Sequence, residues 1–88
     1  MSPAEVEFRR RVLAGAAGGL LHYTDWGRAR LDTSLGRPAV TVTAGQMADW
    51  VPLLMHRAPG SRLYVLTPAG AAELERLDAE AARRRALV

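Results

Sequence analysis

Hydrophobic residues along this chain alternate between a helical and a strand spacing, and each change of period marks a boundary. After Ser2, the residues Val6, Leu13 and Ala17 recur on one helical face, with Phe8 and Val12 beside them. Arg9, Arg10 and Arg11 sweep round from that stripe towards solvent. Ser2-Pro3-Ala4-Glu5 has the form of a capping box: a Ser oxygen for the N3 amide, Pro at N1 and a Glu that reaches back. Gly18-Gly19 stops the helix, because glycine takes the left-handed C′ conformation without a Cβ penalty.

Residues 20–23, Leu-Leu-His-Tyr, read as a short strand; 24–27 supply turn residues and 28–31 return antiparallel. Residues 32–38 bring Ser, Gly and Pro together as a loop, and 39–42 form another strand. Thr43-Ala44-Gly45-Gln46 is a second capping box. Its helix carries Met47, Trp50, Val51 and Leu54 at spacings of three, four and seven, so Met47, Trp50 and Leu54 read as core. Pro52 removes a helical hydrogen bond and disfavours helix at Val51, which ends the helix near Trp50 or Val51.

Residues 53–57 become a strand, 58–61 a turn and 62–66 the return strand, where Leu63 and Val65 alternate with Tyr64 and Leu66. Thr67 caps a closing helix over about 68–86 whose first residue is Pro68, and Leu74, Leu77 and Ala81 repeat on one of its faces. The predicted order is helix, hairpin, strand, helix, hairpin, helix, a single α+β domain over residues 1–88.

Residues 62–77, a strand that leaves a turn and runs into Leu-Thr-Pro-Ala-Gly, resemble the last wing strand and closing helix of bacterial winged-helix regulators of the MarR and PadR type. The resemblance implies a winged-helix-like fold, double-stranded DNA as partner and a homodimer formed through the terminal helices. It matches residues 43–51 to the recognition helix of the major groove and residues 53–66 to the wing. On that match Thr43, Gln46 and Asp49 face outward, and Gln46 pairs bidentately with an adenine edge. His56, Arg57 and Arg62 flank the Ala-Pro-Gly-Ser tip of the wing, where they neutralise phosphates and fix register. The family places a second helix just before the recognition helix. Residues 22–42 read as strands and loop instead, leaving either a short helix around 25–31 or a derivative in which that element is replaced.

Composition narrows the field. A chain of 88 residues buries only about 60 % of the surface its unfolded form exposes, so a second copy or a partner would add core. With 49 % hydrophobic residues it is not a disordered tail. The absence of cysteine rules out a disulfide scaffold and a thiolate metal site. No apolar run approaches membrane-spanning length, and the expected location is the cytoplasm. Every Lys-or-Arg position is arginine, and lysine, asparagine and isoleucine are all missing, as in a GC-rich bacterial or phage genome. A net charge of +3 gives only a modest long-range attraction to nucleic acid.

Catalysis finds little support. His22 and His56 lack a cysteine or carboxylate at ligand spacing, and there is no phosphate-cradling glycine loop or nucleophile elbow. No enzyme activity, cofactor or metal is therefore expected. The reading from sequence is a small DNA-binding protein, a transcriptional regulator or accessory factor, whose contacts are Thr43, Gln46, His56, Arg57 and Arg62. The alternative is a protein–protein interaction module on the same scaffold without DNA binding. Its surface would comprise Trp26, Tyr23 and the closing-helix residues Leu74, Leu77 and Ala81.

Overall fold

The computed structural model describes residues 2–25, 27–32 and 39–87. Trp26, assigned above to a protein contact, and residues 33–38 of the expected loop lie outside the described residues. Among the described residues the fold is α+β, with three helices and two small antiparallel sheets.

Helix α1 (Pro3–Ala17) begins where the Ser2 hydroxyl accepts the Glu5 amide at 3.2 Å. The Glu5 carboxylate makes no return bond, so the expected box is half closed. Val12, Leu13, Gly15 and Ala16 are buried, whereas Ala17, expected on that face, is exposed. The reason is Gly15: it brings the helix against Leu31 and Leu21 of the sheet and centres the buried stripe there.

Strands β1 (Leu21–Tyr23), β2 (Ala29–Leu31) and β3 (Val40–Val42) form an antiparallel meander in which Tyr23, Ala29 and Val42 stand opposite one another. Period-two alternation turns Leu21, Ala29, Leu31 and Val42 into the core and leaves His22, Arg30 and Thr41 on the outer face. Strand β2, not a short helix, occupies 29–31, where the family resemblance would place its additional helix.

Helix α2 (Ala44–Met47) is a single turn, shorter than the expected run to Trp50 or Val51. Gly45 weakens the helix from inside and Pro52 withholds a donor beyond it. The chain continues instead as turns, with Trp50 N–H donating to Met47 O at 2.9 Å and Leu54 N–H to Trp50 O at 2.6 Å. These turns still bury Trp50, whose ring meets Phe8 at 6.1 Å between centroids. Leu54 is half-buried at the core's margin.

Strands β4 (Met55–Arg57) and β5 (Tyr64–Leu66) form the second hairpin, and α3 (Pro68–Ala86) closes the chain. Thr67 caps α3 by accepting the Gly70 amide at 3.0 Å, while its hydroxyl donates to Leu53 O at 2.7 Å. Helix α3 packs on α1 through Leu77, and Arg9 and Arg10 cross the seam to Glu73 and Asp78. Of the three consecutive arginines expected at solvent, only Arg11 is exposed. The two sheets meet along a narrow seam, where Tyr23 N–H donates to Arg62 O at 2.6 Å and His22 bridges Leu63. Among the described residues no helix is long and apolar enough to cross a membrane.

Candidate nucleic-acid interface

The β4–β5 register pairs His56 with Val65 and Arg57 with Tyr64. Met55 and Tyr64 are buried, so the strand pleat sends Arg57 towards the Tyr64 side and His56 to the opposite face. The connection is tied by Ala58 N–H to Leu63 O at 2.8 Å and by Leu63 N–H to the Ser61 hydroxyl at 3.0 Å. Gly60 supplies the left-handed residue of the turn, with φ of 71°.

The Arg57 guanidinium lies over the ring of Tyr23, 4.6 Å from its centroid. Tyr23 in turn bonds the Arg62 backbone. Two residues assigned to the wing and one assigned to a protein contact thus form a single group. Nothing local in the sequence signals this, because β1 and β5 are brought together only by the tertiary fold. Burial holds the Tyr64 hydroxyl above the usual tyrosine pKa; nearby Arg57 pulls it down and Tyr23 pushes it up.

The rest of the predicted contact set is elsewhere. Thr43 Oγ1 accepts the Gln46 amide at 3.2 Å, and Gln46 Oε1 accepts the Thr43 amide at 2.9 Å, a closed capping box. Bidentate pairing with adenine needs that same Oε1, so Gln46 reads a base only by opening its own helix cap. Gln46 also lines a cleft with Glu5 and Asp49, and those carboxylates oppose the approach of phosphate. His56 is turned to the other face of the hairpin, its Nδ1 at 3.2 Å from the Arg57 carbonyl oxygen. Of the closing-helix residues, Leu77 is 2 % exposed and belongs to the core of the chain itself, which removes it from any surface of the folded monomer. Leu74 and Ala81 are half-buried.

Ion pairing separates the arginines. Arg9, Arg10, Arg28, Arg30, Arg76 and Arg84 each have a carboxylate within 4 Å. Among the described residues Arg57 and Arg62 have none, and residues 50–72 around them contain no Asp or Glu. Arg11, Arg83 and Arg85 are also without a partner, but Arg83 and Arg85 sit in the last turn of α3, where the helix dipole favours cations. His22, without a carboxylate at ligand spacing in sequence, has one in space: its Nδ1 is 3.6 Å from Oδ2 of Asp32, a residue that also approaches Arg30 through Oδ1 at 3.2 Å. No family model, curated protein or solved structure matches this chain.

Proposed function

We propose that this protein binds double-stranded DNA through the β4–β5 hairpin, as a small transcriptional regulator or accessory DNA-binding factor on a winged-helix-like scaffold. The observation that carries the reading is the pair of unneutralised arginines, Arg57 and Arg62, beside Tyr23 in a stretch free of acidic residues. Stacking on Tyr23 leaves the edge of the Arg57 guanidinium free to donate to phosphate oxygens, and limits the rotamers lost on binding. Such contacts position the protein on any duplex and carry no sequence information. Base reading by Gln46 is no part of the proposal, because its acceptor is committed to Thr43.

Fluorescence anisotropy with a mixed-sequence duplex at low and at physiological salt tests this directly. Arg57→Ala and Arg62→Ala should each weaken binding to every sequence and lower the log–log salt slope by about 1. Arg83→Ala should leave both unchanged. Absence of binding at low salt, or an equal loss in Arg83→Ala, would overturn the proposal.

The same reading includes a homodimer through α3, supported by its exposed C-terminal end, where Leu87 is 87 % exposed. Sedimentation velocity of the whole chain checks it, with a species of twice the monomer mass expected. The alternative, a protein-interaction module without DNA binding, is favoured by Leu20 and Leu63, which are 45 % and 40 % exposed beside β1 and β5. It requires anisotropy to stay flat at every salt concentration.

A further inference from the structure

A cleft of about 310 Å³ opens between the N-terminal half of α1 and α2 with the turns that follow it. Its walls are Glu5, Phe8 and Arg9 on one side and Gln46, Asp49 and Trp50 on the other. Phe8 and Trp50 form a tilted aromatic pair, with ring planes at 48°. Trp50 is largely buried and Phe8 half-buried, so the cleft has an aromatic wall.

The charges in the cleft are unevenly matched. Among the described residues, Glu5, Asp49 and Glu75 are the carboxylates without an ion pair, and the first two line this cleft. The Glu5 carboxylate also makes no capping bond back to Ser2. Arg9, the cation in the wall, already faces Glu73 at 3.7 Å, and its buried Nε has no acceptor. Two free carboxylates against one arginine that already has a counter-charge leave the cleft selective for cations.

We propose that this cleft binds a small organic amine with an apolar, preferably aromatic, body. Glu5 and Asp49 take the ammonium, and Phe8 and Trp50 take the apolar part. The site is separate from the Arg57–Tyr23 group and stands or falls independently of DNA binding.

The test uses the full chain and three probes of one shape: 2-phenylethylamine, 2-phenylethanol and phenylacetate. Binding is read by calorimetry and by the Trp50 indole N–H signal in a proton–nitrogen correlation spectrum, identified with Trp50→Phe. The amine should bind saturably and shift the Trp50 signal, the alcohol should bind roughly tenfold more weakly and phenylacetate not at all. Glu5→Gln with Asp49→Asn should weaken the amine by roughly tenfold, with Glu75→Gln as a neutral control. Equal affinity for amine and alcohol, preference for phenylacetate, or no saturation by the amine would each overturn the proposal. Read by calorimetry, the three-probe comparison needs no substitution, so it decides the matter even if a variant fails to fold.

Discussion

At Gly70, in the first turn of α3, an added Cβ would fall inside the backbone carbonyl of Leu54. A backbone atom held by its own bond from Thr67 N–H at 3.0 Å cannot step aside as a side-chain tip would. Gly70→Ala is therefore expected to cost about 2–3 kcal/mol in urea denaturation. Gly15→Ala, whose one clash is with a methyl end of Leu31, should cost less. Thr67→Ala removes the α3 cap and the bond to Leu53 O together, an expected loss of about 1–2 kcal/mol by the same measurement. Tyr23 belongs to this scale too. If its ring holds Arg57 for phosphate, Tyr23→Phe should keep DNA affinity, and Tyr23→Leu should lower it a few-fold, as the anisotropy titration would show. Single residues differ in how openly they announce themselves. The Thr67-Pro68 cap and the Thr43–Gln46 box are spelled out over neighbouring positions, so both are legible from sequence. The approach of Gly70 to Leu54 and the Arg57–Tyr23 stack join positions far apart in the chain, and no local spacing encodes them.

Among the elements, the α1–α3 pair shows how charge supplements a narrow apolar seam. Leu77 and Val12 lie in the core, and around them Arg10 bonds both Glu7 and Asp78, while Glu73 bonds Arg76 and approaches Arg9. The Arg10 hydrogen bonds hold the Glu7 carboxyl below the usual glutamate range, and Arg76 does the same for Glu73. A carboxylate whose pKa falls on folding binds its proton more readily in the unfolded chain. Its contribution is present above the unfolded pKa, near 4.3, and is lost as pH falls through the folded value. Thermal melts should therefore shift downward from pH 5 towards pH 3, and Glu7→Gln should flatten that dependence. Periodicity places the three helices and five strands of the described residues in order, because caps and period changes are local. It overran α2, where the cost of Gly45 and Pro52 and the pull of Trp50 towards Phe8 outweigh a helical spacing. It also aimed Arg9 and Arg10 at water, since a single helix carries no record of the neighbour that will cover it.

For the molecule as a whole, the electrostatic picture is local. A net charge of +3 is too small to steer nucleic acid strongly, yet the hairpin within the acid-free stretch from residue 50 to 72 and the acidic cleft by Asp49 carry opposite signs. The α+β class and element order were readable from sequence, whereas the site was readable only in part. Arg57 and Arg62 could be picked out as cations flanking a turn, but their lack of partners depends on where every carboxylate ends up.

The narrow join between the two sheets has a kinetic consequence. The Tyr23–Arg62 bond ties positions roughly forty residues apart, whereas each hairpin closes over a much shorter loop. Hairpins of that kind assemble early, and the long-range tie follows once α3 has brought β5 back against β1. Reversing the order, the tie should also release before either hairpin melts. Deuterium uptake at the Tyr23 amide is thus expected to be faster than at the β2 amides bonded within the meander, making that one N–H a clock for separation of the two halves.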